Sequence, residues 1–229
     1  MPWEIVRSQK LTPDHRPVDI ITKGGRLDGY LSSIALIPEF NLGITFLVAG
    51  QAEALEDLRE EIIATLIPDL EVAMKQQLRS VYTGPFRYQD QRSHRVSDQY
   101  RVEFEVDAGP GLLLTNWTQN NTNFLSFYGQ LKGMPANPKN WEARLIPSNI
   151  RYDFSRKKMI TKIETWRLIV VRKGTKNKPK RERIFDDYCM TDVDGLIYGG
   201  SSLEEFQFSW YASEKAIYLE LPGTRTGLL

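Results

Sequence analysis

The chain has 229 residues, of which 26% are charged, and a net charge of +1, as expected for one large or two small globular domains. This charge excludes a global attraction to nucleic acid or to a membrane surface. Its single cysteine excludes an internal disulfide, and its apolar runs are too short for a membrane span. The first residues lack the apolar core of a secretion signal. We therefore expect a soluble, cytoplasmic protein with neither nucleic acid nor a membrane as partner.

The first 79 residues combine strands with one long helix. Apolar and β-branched stretches predict four strands, at 3–7, 18–22, 31–37 and 43–49, the last two forming a hairpin. Residues 51–78 carry apolar side chains at three- and four-residue spacing, which predicts a helix with one apolar face. Pro68 is expected to kink this helix or to split it in two.

From residue 80 onward the apolar pattern changes to period two. It predicts strands at 100–106, 112–117, 124–131, 141–146, 150–154, 159–171, 183–191, 206–210 and 217–221. Short strands in series with turn residues between them are typical of an up-and-down barrel or a meander. The predicted fold is α+β: a small antiparallel sheet with a long covering helix over 1–79, then a lipocalin-like antiparallel β-barrel or meander of about eight strands over 80–229.

No complete catalytic motif is present in the sequence. Its two histidines, His15 and His94, lie apart from cysteines and paired carboxylates, so we predict no metal site. No phosphate-binding glycine loop occurs, and we predict no cofactor. Ser155 and Lys158 have the Ser-x-x-Lys spacing, but they fall in a predicted turn, whereas that chemistry needs one helical face. The basic run at 172–183 is interpreted as a solvated loop.

Several stretches together resemble a known family. They are Lys23-Gly24-Gly25, Ile34-Ala35-Leu36-Ile37-Pro38-Glu39, Phe185-Asp186-Asp187-Tyr188 and Leu203-Glu204-Glu205-Phe206. In combination they resemble the C-terminal part of fungal serine β-lactamase-like proteins, relatives of penicillin-binding proteins and class C β-lactamases. In that family a Lys-Ser/Thr-Gly strand borders the active site, a hairpin and a long helix follow, and many fungal members carry an appended β-rich domain. The resemblance implies that residues 1–79 are a remnant of the β-lactamase-like sheet and helix.

The departures from the family pattern concern the chemistry. Lys23 is kept, but Gly24 stands where the family has a hydroxyl. The Ser-x-x-Lys helix and the Tyr-x-Asn element have no counterpart in this sequence. We therefore interpret the chain as a truncated relative that cannot assemble an acyl-enzyme site by itself.

Fungal relatives often belong to natural-product pathways, so the resemblance implies a small-molecule role. Our first hypothesis is a cofactor-independent, non-hydrolytic enzyme of secondary metabolism, a cyclase, pericyclase or isomerase. It would hold a small apolar intermediate in the barrel or at the barrel–sheet junction, since orientation alone can accelerate such reactions. The candidate polar groups are Lys23, Tyr30 and Asp187. The candidate ligand-binding aromatic residues, each of which could instead be plain core, are Trp117, Tyr128, Trp141, Trp166 and Trp210.

Two further hypotheses remain open. The chain could be a non-catalytic, lipocalin-like carrier of small apolar ligands. It could also be a degenerate β-lactamase-like protein that acts as an interaction partner, whose apolar surface is covered by a second copy, as a homodimer, or by another chain.

Overall fold

A computed structural model describes residues 2–50, 54–89, 95–156, 159–173, 195–211 and 217–229. The chain divides into two compact units, Met1–Gln77 and Leu78–Leu229. Within these described residues, antiparallel strands dominate and two α-helices accompany them, so the predicted α+β class is confirmed. Neither of these helices is long and apolar enough to cross a membrane.

The first unit is a four-stranded antiparallel sheet followed by a helix. Its elements are β1 (Glu4–Ser8), β2 (Val18–Leu27), β3 (Tyr30–Ile37), β4 (Leu42–Ala49) and α1 (Ala54–Tyr82), which continues into the second unit. The sheet order is β1-β2-β3-β4. The predicted hairpin between β3 and β4 is confirmed; its turn ends at Asn41, whose φ of 50° lies in a region that asparagine tolerates.

One face of this sheet packs against α1. Val18 and Ile37 from the strands form a buried cluster with Ile63 and Ile67 from the helix. The helix runs unbroken through Pro68, so the prediction of a split is wrong. Proline removes one backbone hydrogen bond, and the burial of Ile63 and Ile67 against the sheet compensates for that loss.

The opposite face of the sheet, the outer face, carries the alternate residues of each strand. Lys23, Gly25 and Leu27 of β2 lie here. So do Tyr30 and Ser32 of β3, in register with them. Leu47 of β4 pairs with Ser32 and completes the set.

The second unit is built mainly from strands. They are β5 (Gly84–Gln89), β6 (Val96–Glu105), β7 (Leu112–Gln119), β8 (Thr122–Asn123), β9 (Trp141–Arg156), β10 (Met159–Arg172), β11 (Ile197–Tyr198), β12 (Ser201–Ser202), β13 (Glu205–Tyr211), β14 (Ile217–Leu221) and β15 (Thr226–Leu228), with helix α2 (Phe124–Leu131) between β8 and β9. The main sheet runs β15-β14-β13-β10-β9-β7-β6-β5. Arg87 of β5 and Leu229, which follows β15, exchange two backbone hydrogen bonds of 2.8 and 2.9 Å. These bonds connect the two edge strands of the sheet and nearly close a barrel.

Helix α2 corrects one sequence prediction, because residues 124–131 were expected to form a strand. The side chain of Asn123 accepts a hydrogen bond from the Ser126 backbone N–H and caps the helix. Phe124 and Tyr128, four residues apart, both pack on Trp117 beneath the helix. A short apolar run fits a strand or a helix equally well by periodicity, and here capping and packing select the helix. The strand expected at 183–191 lies outside the described residues.

Candidate functional site

An open groove of about 570 Å³ lies along the end of the four-stranded sheet that holds the β2–β3 hairpin turn. Its apolar wall is formed by Leu27, Tyr30 and Leu47, whose exposed fractions are 75%, 64% and 77%. Leucine side chains are mostly buried in folded proteins, so a patch of exposed large apolar side chains is informative. The groove is therefore a surface with capacity for an apolar ligand.

The floor of the groove contains a glycine and a hydroxyl that are matched across two strands. Gly25 pairs with Ser32, and a Cβ atom added at Gly25 would lie 2.8 Å from the Ser32 Oγ. The Ser32 hydroxyl donates to the Gly25 carbonyl oxygen over 3.4 Å. The absent side chain at position 25 thus leaves space for a hydroxyl on the outer face. Sequence reasoning missed Ser32, because only the β2–β3 register brings it beside Gly25.

Lys23 lies on the same outer face, but its ammonium is engaged. Its Nζ is 2.9 Å from the Glu4 Oε1 atom in a partly exposed ion pair. Lys23 pairs with Ile34 and is a diagonal neighbour of Ser32, a spacing of about 7–8 Å. Tyr30 lies four residues from Ile34, or about 13 Å along β3. The fold therefore places Tyr30 in the wall of the groove, whereas Lys23 lies on the same sheet face but does not line the groove. Asp187 lies outside the described residues.

All five aromatic candidates belong to, or pack against, one buried core cluster of the second unit. Trp117 and Tyr128 are almost fully buried, with ring centroids 5.8 Å apart. Trp166 and Trp210 both pack on Tyr82, at 5.1 and 6.0 Å. The fold does not gather these side chains into one pocket, and their role in ligand binding stays a prediction.

The fifth aromatic candidate, Trp141, is buried against helix α2. Gly129 presents its backbone to the Trp141 ring, and a Cβ atom there would clash with the ring. The indole N–H of Trp141 donates to the Pro135 carbonyl over 3.1 Å. These contacts pack α2 against strand β9 of the barrel.

Two polar clusters inside the barrel unit were not found from the sequence. Glu204 is fully buried and accepts hydrogen bonds from Lys132, at 2.5 Å, and from the Tyr128 hydroxyl, at 3.1 Å. The Tyr82 hydroxyl donates to Glu164 over 2.7 Å, and burial together with that carboxylate raises the pKa of Tyr82. Each cluster joins residues that are distant in sequence, so no local sequence pattern predicts it. Both satisfy polar groups that would be costly to bury alone.

Comparison of this chain with known proteins identifies its family. Residues 74–229 match the family model described as the β-lactamase-like-like C-terminal domain. The chain belongs to this family. The resemblance to fungal β-lactamase-like proteins is thereby confirmed.

The similar proteins are fungal and longer than this chain. A β-lactamase-like protein of Arthroderma benhamiae is 26% identical over 129 residues, which are 54% of this chain and 22% of that protein. Proteins named probable hydrolase from a Phoma species and from Cochliobolus lunatus are each 22% identical over 212 residues. Those matches cover 91% of this chain and 34% and 33% of the two relatives. No solved structure matches the chain.

Within the β-lactamase-like-like C-terminal domain, a second groove of about 390 Å³ runs beside α2. Leu125 and Trp141 line it, and Glu142 and Lys173 lie at its polar end, 3.0 Å apart. Burial would raise the pKa of Glu142, but hydrogen bonds from Arg144 and Lys173 outweigh burial and hold that pKa below its usual value. The charges in this groove are thus paired with one another. Among the described residues, no group of three or more His, Cys, Asp or Glu side chains is arranged to hold a metal.

Proposed function

We propose that this protein is a cofactor-independent enzyme of fungal secondary metabolism, acting in the cytoplasm as a cyclase, pericyclase or isomerase. It would bind a small, largely apolar molecule in the groove of the outer face. The observation that carries this proposal is the exposed apolar wall of Leu27, Tyr30 and Leu47 around the Ser32 hydroxyl.

The size and chemistry of the groove suit such a molecule. Small-molecule sites commonly enclose about 300–1,000 Å³ and combine apolar walls with a few polar groups, and this groove offers about 570 Å³. The Tyr30 and Ser32 hydroxyls would orient the ligand, and Lys23, which lies outside the groove on the same sheet face, would provide a nearby cation. Binding the substrate in one reactive conformer would lower the entropic part of the activation barrier of a unimolecular rearrangement. Such a rearrangement needs no nucleophile.

A non-hydrolytic reaction is favoured by the state of the polar groups. Gly24 supplies no hydroxyl beside Lys23. Ser32 donates its proton to a backbone carbonyl, and the Lys23 ammonium is held by Glu4, so neither group is activated by the other. This arrangement favours binding and orientation over covalent catalysis.

Hydrolysis is the second candidate function. Two of the similar fungal proteins are named probable hydrolase, and Ser32 and Lys23 share one sheet face. For this candidate, a ligand would have to release Lys23 from Glu4, and the Lys23 ammonium would have to lose a proton to solvent before its neutral amine could accept the Ser32 proton.

The two candidates predict different products. The purified protein would be incubated with extracts of a fungal culture, and products would be identified by mass spectrometry. A product of unchanged mass that disappears with Tyr30→Ala, but persists with the surface control Lys10→Met, would support a cyclase or isomerase. Products whose combined mass exceeds that of their precursor by one water, and that disappear with Ser32→Ala, would support hydrolysis. A ligand retained without any product would overturn both enzyme proposals and favour a carrier.

A further inference from the structure

Strands β7 and β9 of the barrel unit pair over a short stretch only. Their register runs from Leu112↔Leu145 to Leu114↔Ala143, although β7 continues beyond this point and β9 already begins at Trp141. Within the described part of the chain, no pairing joins β7 to β9 outside these residues. The sheet is therefore open on one side of this pairing, where the two strands separate.

Helix α2 covers the place where the two strands separate. Phe124 and Tyr128 of α2 pack on Trp117 of β7, with ring centroids 4.5 and 5.8 Å from that of Trp117. Gly129 of the same helix lies against the Trp141 ring of β9. Helix α2 thus connects β7 and β9 through side-chain packing.

The groove of about 390 Å³ beside α2 opens at this separation. Its lining includes Leu114, Trp141 and Ala143, which are buried members of the barrel core. Leu125 of α2 adds an apolar side chain to the lining. A molecule in this groove would therefore contact residues of the barrel core as well as the protein surface.

The indole N–H of Trp117 is a buried donor next to this groove. Trp117 is 1% exposed, and none of the described residues accepts a hydrogen bond from its Nε1 atom. Buried N–H groups nearly always have an acceptor, because an unpaired one is costly. The Phe124 ring packs on Trp117, and its chain neighbours Asn123 and Leu125 line the groove. Phe124 therefore lies between the groove and an unpaired donor.

We propose that this second groove binds a small, neutral, apolar molecule that carries a carbonyl oxygen. The Phe124 ring would turn away from Trp117, and the carbonyl oxygen would accept a hydrogen bond from the indole N–H. The apolar body of the molecule would lie against Leu114 and Leu125. The unpaired donor selects an acceptor, and the apolar lining selects the rest of the ligand.

The charges around the groove favour a neutral ligand. Glu142 forms ion pairs with Arg144 and Lys173, and Arg144 also pairs with Asp107. These two cations and two carboxylates cancel, so a charged ligand would lose its hydration without gaining a counter-charge. All of these residues belong to the second unit, so binding here is independent of the enzyme activity proposed for the outer face.

Two probes that differ in one carbonyl group test the role of the indole. Equilibrium dialysis would measure the affinities of propionylnaphthalene and propylnaphthalene. Trp117→Phe keeps an aromatic ring but removes the N–H, so it should weaken binding of the ketone about tenfold and leave binding of the hydrocarbon unchanged. Trp166→Phe is the matched control, because it removes another buried, unpaired indole N–H, at a ring that packs on Tyr82. Equal effects of Trp117→Phe on both probes, or a loss of ketone binding with Trp166→Phe, would overturn the proposal.

A variant at the exposed rim of the groove tests the location without changing the core. Thr115→Trp adds a ring to the groove lining and should weaken binding of both probes at least about tenfold. Gln130→Trp adds the same ring at an exposed position of α2 that does not line the groove, and it should leave both affinities unchanged. An unmodified protein that binds neither probe would refute the site. Binding that survives Thr115→Trp but is lost with Tyr30→Ala would place the probes on the outer face instead. Neither readout depends on turnover, so failure of the enzyme proposal would leave both results unchanged.

Discussion

The two units use antiparallel sheets in opposite ways. In the first unit the sheet buries only the face that packs on α1, and the outer face keeps Leu27, Tyr30 and Leu47 exposed. In the second unit, backbone hydrogen bonds between Arg87 and Leu229 nearly close the sheet into a barrel. Aromatic rings such as those of Phe206 and Phe208 fill its interior. Large apolar side chains therefore stabilise the interior of the second unit and stay exposed on one face of the first.

The largest expected effect is the loss of a ring from the barrel interior. Phe208 is fully buried, and its ring centroid lies 4.9 Å from that of Tyr82 and 5.8 Å from that of Trp166. Phe208→Ala should lower the free energy of unfolding by about 3–5 kcal/mol, because the cavity cannot be refilled. Tyr30→Ala on the outer face should change it by less than about 0.5 kcal/mol. Urea denaturation of both variants checks the contrast, and equal effects would contradict it.

The next effect concerns a buried charge of the barrel unit. Lys132→Met leaves the fully buried Glu204 without its cation and should cost about 3 kcal/mol of unfolding free energy. The double variant Lys132→Met with Glu204→Gln should recover part of this loss, because no charge then remains at that position. Thermal and urea unfolding of the single and double variants measure the recovery. A double variant less stable than the single one would show that Glu204 is stabilised by other groups.

A smaller, pH-dependent effect is expected in the first unit. Burial would raise the pKa of Glu71, but hydrogen bonds from Arg16 and Lys75 outweigh burial and lower that pKa. A lowered folded-state pKa stabilises the protein above the ordinary glutamate pKa of about 4.3, and this contribution is lost as the pH falls through the folded-state pKa. Glu71→Gln should cost about 2 kcal/mol at neutral pH.

The control for this prediction is the pH profile itself. Unfolding free energies of the unmodified protein and of Glu71→Gln should converge as the solution is acidified. A constant difference between the two profiles would show that Glu71 does not titrate in the range expected from its partners.

The smallest effect on stability is expected at Lys23. Its ion pair with Glu4 resembles that of Lys132 with Glu204 in chemistry, but Glu4 is 61% exposed and the Glu204 side chain is not exposed at all. Lys23→Met should therefore change the unfolding free energy by less than about 1 kcal/mol. If the outer face binds the substrate, the same variant should reduce turnover or ligand retention. Stability and activity measured on one preparation separate these two effects.

Local signals predicted the elements whose shape depends on neighbouring residues. The hairpin of β3 and β4 follows from two apolar runs around Pro38 and Asn41, and its turn satisfies the backbone within a few residues. Helix α2 was missed although Asn123 could have indicated its start, because a β-rich context favoured a strand. Lys23 was chosen as a candidate from its motif, and its role stays a prediction. Ser32 was not chosen, because nothing near it in sequence records that it faces Gly25.

The sequence by itself determined the family, the helix that follows the hairpin and the alternation that marks strands, because each depends on residue order over short distances. Only the tertiary structure decided which apolar residues are core and which are surface. Trp117 and Leu47 both look like buried strand residues in the sequence, but one is 1% exposed and the other 77%. The difference arises from barrel closure and sheet edges, which depend on contacts between distant parts of the chain, such as Arg87 with Leu229.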